Sequence, residues 1–133
     1  MANEAVIIEL LGNGGDPIRV TVADGAGIAK GTVLKLSDPR TGAASSADGD
    51  ICIGIAAAEK VANDGSTTLA AYTNGIFDLK DSGAGVAIGV PVTIGGANLV
   101  KAAAAGEAET GDIFGYSLET AAAAEVVAVR VRL

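Results

Sequence analysis

Apolar and polar residues alternate at period two along most of this chain, the pattern of half-buried β-strands. Ile18, Val20 and Val22 share one side of a short segment, with Arg19 and Thr21 on the other. The closing segment repeats the pattern at greater length. Val127, Val129, Val131 and Leu133 fall on one face, Arg130 and Arg132 on the other. Further strands are expected over residues 5–11, 32–36, 51–57, 67–72, 75–79, 86–94, 99–101 and 113–118. Turn signals separate them: Gly12-Asn13-Gly14-Gly15-Asp16-Pro17, residues 23–27, Asn74-Gly75 and Gly95-Gly96-Ala97-Asn98. Residues 37–49 read as a polar loop. Gly89 and Pro91 interrupt 86–94 and point to a bulge or an edge strand. The alanine-rich stretches 102–105 and 121–124 are each under two turns long, too short to hold a helix alone. They read as turns.

A weak internal repeat runs through these elements. Gly31-Thr32-Val33-Leu34 leads through a loop to Gly49-Asp50-Ile51, Gly54-Ile55 and alanines. Gly89-Val90-Pro91-Val92 leads in the same way to Gly111-Asp112-Ile113, Gly115-Tyr116 and alanines. A duplicated β unit that closes one small barrel accounts for the repeat; coincidence in a Gly/Ala-rich chain is the alternative. The expected fold is therefore all-β, a small β-barrel or two-sheet sandwich of short strands.

Composition narrows the core. The chain is 50% hydrophobic but only 3% aromatic, so Val, Ile, Leu and Ala must fill a thin interior. Its 133 residues fit one domain. The net charge of −7 gives no general attraction to nucleic acid, so no nucleic-acid partner is expected. No segment is long and apolar enough to suggest a membrane span and no basic leader precedes residues 5–11, so a soluble, cytosolically made chain is expected.

The chemistry is defined mostly by what is missing. The chain has no His, and its single Cys52 sits in Ile51-Cys52-Ile53 as an expected core residue. Ser-His-Asp and Cys-His catalysis and the usual zinc sites are thereby excluded. Carboxylates remain at Asp48 and Asp50, at Asp78 and Asp81, and at Glu107, Glu109 and Asp112. They read as turn acids; a calcium site in the 107–112 loop is the alternative. Gly25-Ala26-Gly27-Ile28-Ala29-Lys30-Gly31 is neither a phosphate loop nor a dinucleotide fingerprint, and Gly83-Ala84-Gly85 leads into a strand. No catalytic residue, metal or cofactor is assigned.

Several segments together carry a family resemblance. Gly27-Ile28-Ala29-Lys30-Gly31-Thr32-Val33-Leu34-Lys35-Leu36, Gly49-Asp50-Ile51-Cys52-Ile53-Gly54-Ile55-Ala56 and Thr73-Asn74-Gly75-Ile76-Phe77-Asp78-Leu79 resemble consecutive parts of phage capsid decoration, or cement, proteins. Gly115-Tyr116-Ser117-Leu118-Glu119-Thr120-Ala121-Ala122 and the Val-Arg-Val-rich end are similar to their closing pattern. The resemblance spans residues 17–133. It implies a barrel-like domain on the outer capsid surface, bound to the major capsid protein and commonly trimeric, with a shell-reinforcing and non-enzymatic role. A fibre-base or receptor-binding head domain of a virion is the competing expectation. Residues 1–16 fall outside the resemblance and read as an N-terminal arm ahead of the 17–133 decoration domain. Val6, Ile7, Ile8, Leu10 and Leu11 make this arm apolar, so capsid or subunit contact is expected there. A hairpin with residues 18–22 of its own domain is the alternative.

Overall fold

The computed structural model describes residues 3–133, the side chain of Ala108 excepted; Met1 and Ala2, the first residues of the expected arm, lie outside the described residues. The alternating segments form strands β1 (Val6–Leu10), β2 (Ile18–Thr21), β3 (Val33–Asp38), β4 (Thr41–Ala44), β5 (Cys52–Ala56) and β6 (Thr68–Tyr72). They continue as β7 (Asn74–Asp81), β8 (Pro91–Gly96), β9 (Leu99–Ala102), β10 (Gly115–Ser117) and β11 (Val126–Arg132). One helical turn, α1 (Glu107–Thr110), interrupts them. The all-β expectation holds, and both alanine stretches are free of helix.

The repeat is real, but its two units do not share one barrel. Each closes a five-stranded barrel of its own. In the first, β2 pairs in parallel with β4 and antiparallel with β6, while β3 pairs with β4 and β5, and β5 with β6. In the second, β7 pairs in parallel with β9 and antiparallel with β11, while β8 pairs with β9 and β10, and β10 with β11. The pairings match strand for strand. Even the isolated bridges correspond: Ile28 with Lys60 in one barrel, Val86 with Ala121 in the other. The stretches Gly25-Ala26-Gly27-Ile28-Ala29-Lys30-Gly31 and Gly83-Ala84-Gly85-Val86-Ala87-Ile88-Gly89 are the same turn and strand entry in the two units.

Gly54 and Gly115 mark equivalent places where strands crowd. A Cβ on Gly54 would sit 2.8 Å from the Ala71 methyl and from the Tyr72 carbonyl, and one on Gly115 would collide with the Arg130 carbonyl. Only glycine permits such close strand approach.

Two hydrophobic clusters fill the molecule. Val20, Val22, Ile28, Leu34, Leu69 and Ala71 line the first barrel. The other cluster joins Phe77, Leu79, Phe114, Val127 and Val129 of the second barrel to Val33, Cys52 and Ile55 of the first. Adjacent Val33 and Leu34 are both fully buried, although a strand sends neighbours to opposite faces. Leu34 packs inside its own barrel, and Val33 packs against the next one. The seam is also tied by polar groups. Asn98, at the β8–β9 tip, accepts the Val33 N–H at its Oδ1 (2.8 Å) and donates its own N–H to Ser45 Oγ (3.0 Å).

Three local expectations are overturned. Residues 37–49 are not one loop, because β4 lies within them and completes the first barrel. Asn74-Gly75 is not a hairpin turn but the start of β7. Gly75 stands there because a Cβ would come within 2.7 Å of the Glu9 carbonyl as β1 passes. The alternative hairpin of β1 with β2 does not form, because β1 instead pairs antiparallel with β7.

Candidate functional site

β1 crosses from one barrel to the other. The Ala5 N–H donates to the Gly31 carbonyl of the first barrel (2.7 Å), and residues 6–10 then run along β7 of the second. Ile7 pairs with Phe77 and Leu10 with Gly75, and both side chains pack on the shared core. Ile8 is an extra residue in a bulge between Ile7 and Glu9. Val6 and Ile8 are left 62% and 51% exposed, and Leu11 is half-buried. The five apolar residues of the arm are thus divided: Ile7 and Leu10 hold it to the chain's own second barrel, half-buried Leu11 adds a backbone bond to the Asn74 carbonyl (3.4 Å), and Val6 and Ile8 face solvent.

A cleft of about 270 Å³ lies where β1 spans the barrels, lined by Ala5, Val6, Ile7, Ile55 and Tyr72 with Lys30. It offers no acid–base pair. The carboxylates of the sequence serve as ties. Asp50 accepts the N–H groups of Ser46 and Ala47 (2.8 and 2.9 Å). Asp48 and Glu107 both hold the Lys101 ammonium, at 3.1 and 2.9 Å, joining a loop of each barrel. Their lysine partner occupies the place a cation would take, and the described residues contain no cluster of three metal-ligating side chains. Asp81, 1% exposed, accepts the N–H groups of Gly85 (2.8 Å), Gly83 (3.0 Å) and Ala124 (3.1 Å) through Oδ2. Burial pushes this carboxyl up, but those donors together outweigh it and its pKa is lowered. Cys52 is buried as expected, and burial pushes its thiol up to about 12, so it carries no thiolate at neutral pH.

The surface that remains is the outer face of the sheet β1–β7–β11–β10. Glu9, Ile76, Arg130, Tyr116 and Pro91 stand in register across five strands, each beside the next. Tyr116 is 38% exposed and Val126, on the same face, is 55% exposed. Phe77 and Phe114 are fully buried and Tyr72 is half-buried against the core, so Tyr116 is the most exposed aromatic ring among the described residues. Sequence reasoning placed Arg130 and Arg132 on a polar face and went no further; the strand order brings Ile76 and Tyr116 beside Arg130.

Two closed β-barrels with interlocked cores and a mixed apolar and cationic sheet face define an all-β barrel protein of the kind the sequence resemblance implies. The family comparison agrees: the phage cement protein model matches residues 12–133, and the chain belongs to the phage cement protein family. It is a capsid-associated structural protein of a phage. A search of the curated proteins found no match. Among solved structures, the chain is similar to the N-terminal base of the head fibre protein gp8.5 of bacteriophage phi29. That likeness has a TM-score of 0.51 at 15% identity, over 86% of this chain and 92% of that one, and shows a common fold.

Proposed function

We propose that this cement protein sits on the outer surface of the capsid, binds the major capsid protein and bridges its subunits as a homotrimer, with no catalytic role. The observation that carries the reading is the row on the outer face of the second barrel, where Ile76, Arg130 and Tyr116 lie between Glu9 on one side and Pro91 on the other, with Val6 and Ile8 exposed on the same edge strand as Glu9. Aromatic residues and arginine framed by aliphatic side chains are the composition of a protein interface centre. Bridging is mechanical: a copy touching two capsid subunits adds its own contacts to the work of separating them.

In this reading residues 1–16 are the attachment arm and 17–133 the decoration unit. Val6 and Ile8 and the free outer edge of β1 touch the capsid, while Ile7, Leu10 and Leu11 anchor the arm. A fibre base is the second reading, favoured by the likeness to a head fibre base.

Adding the purified chain to undecorated shells of its phage and imaging them tests both. Trimeric density on the outer face, contacting two or more capsid subunits at most equivalent positions, supports bridging. Density confined to few positions and continuing into a fibre supports the second reading. A chain that leaves shells bare overturns both.

A further inference from the structure

We propose that Arg130 and Arg132 of β11, with Tyr116, form a docking site for an extended acidic segment of the capsid protein, an inference that rests on the capsid-binding reading above. Both arginines belong to the outer face, two residues apart on one strand, so their backbone positions are about 7 Å apart. Lys35, Lys60 and Lys101 sit in ion pairs with carboxylates, whereas Arg19, Lys30, Arg40 and Lys80 form none with any described residue and stand apart from one another along the chain. Neither Arg130 nor Arg132 forms an ion pair with any described residue, in a chain carrying sixteen acids and a net charge of −7. What sets Arg130 and Arg132 apart from the other unpaired cations is that they share one face of one strand. Two like charges this close on one strand repel, and a carboxylate from a partner would offset that repulsion.

The local geometry prepares the site. Arg130 donates through one nitrogen to Asn74 Oδ1 (2.7 Å) and to the Val131 carbonyl, and Asn74 in turn donates to Asp16 Oδ2 (2.6 Å). The guanidinium is held in place with donors to spare. Beside it Pro91, Ile113, Phe114, Tyr116 and Arg132 line a notch of about 180 Å³. An extended strand repeats its side-chain direction every two residues, so carboxylates at positions i and i+2 match the spacing of the two arginines. A planar guanidinium takes a carboxylate through two parallel N–H donors. A neighbouring apolar side chain of the same segment fills the notch beside Tyr116.

The test uses the full chain and undecorated shells of its phage, with binding followed by co-sedimentation at low and moderate salt. The Arg132 side chain is exposed and bonds no described residue, so the fold should survive Arg132→Glu; an unchanged melting midpoint checks that. Shell affinity should fall about tenfold or more. Arg40→Glu, the same charge change at another exposed site, should alter it by no more than about twofold, the scale of a lone surface charge. Arg132→Lys should recover part of the loss. If Arg132→Glu binds as the parent does, or if Arg40→Glu weakens binding equally, the site is refuted while shell binding itself stands. A parent chain that fails to bind shells refutes the capsid reading, and this site with it. Binding of the parent to a short DNA duplex, lost in Arg132→Glu, would reassign the arginines to nucleic acid and overturn the proposal.

Discussion

Asn98 occupies a position few residues can fill. Its φ of 54° lies in the left-handed region, which asparagine tolerates better than most, and it is fully buried at the seam between barrels. Its Oδ1 satisfies the Val33 N–H, a donor that would otherwise be stranded in the core. Asn98→Ala should cost about 1–3 kcal/mol for the orphaned donor, with backbone strain in addition. Asn98→Gly removes the strain and not the orphan, so it should remain clearly less stable than the parent in urea unfolding; parity with the parent would show that the bond across the seam contributes nothing. Asp81 makes a different prediction. Its folded pKa is lowered, so its contribution is present above the unfolded value of about 3.9 and is lost as pH falls through the folded value. Unfolding free energy measured from pH 7 downward should therefore drop in acid, and Asp81→Asn should be less stable at neutral pH with a flatter acid limb. Lys60 carries the opposite sign. Its hydrogen bond to Asp64, with help from Asp24, raises its pKa, so the tie it makes persists below about pH 10.4 and loosens only as pH rises through the folded value.

At the scale of elements, β1 is an addition to a barrel already closed. β7 pairs with β11 along its length and with β9 through Lys80 and Asp81, and β1 covers only residues 75–78 of its free edge. Deleting residues 3–11 should leave both barrels folded, with one cooperative transition at a lower midpoint. The loss is bounded by the burial of Ile7 and Leu10, about 1.5–3 kcal/mol each if complete. The uncovered edge of β7 should make the truncated chain prone to association, visible in light scattering. Loss of any cooperative transition would show that β1 is integral to the core. Most of this was legible in alternation: the strand faces of β2 and β11 are those their sequences dictate. β4 was not, because Thr41-Gly42-Ala43-Ala44 has no large apolar side chain and earns its place by closing a barrel. Nor was the partner of β1, since any open edge of suitable register suits an apolar strand; the sign lay in Gly75, whose missing side chain makes room for it. The Gly31-Thr32-Val33-Leu34 and Gly89-Val90-Pro91-Val92 entries, each leading to Gly-Asp-Ile, announced the duplication; that the Gly-Ala-Gly turns ahead of them also correspond shows only in the strand pairing.

At the scale of the whole molecule, the two barrels should unfold as one. Val33, Cys52 and Ile55 belong to the first barrel by pairing and to the second by packing, so neither can open without exposing the other's core. Calorimetric and van't Hoff enthalpies should agree; two resolved transitions would show that the seam is dispensable. The polar surface, by contrast, was legible only as charge: Arg130 and Arg132 could be assigned a face, but their neighbours across β10 and β7 depend on strand order, which alternation does not specify. The seam has one more consequence. Because the halves are copies joined tip to end, the molecule has a vacant end on one barrel and an unused tip on the other, the arrangement from which open-ended filaments grow. The joint is not reproduced there. Pro91 stands where Val33 stands and has no N–H to offer, and the unused tip carries Arg40, at φ 51°, in place of Asn98. The bond that fastens the first half to the second therefore has no counterpart at the vacant end of the second barrel, so that end offers a further storey no matching joint.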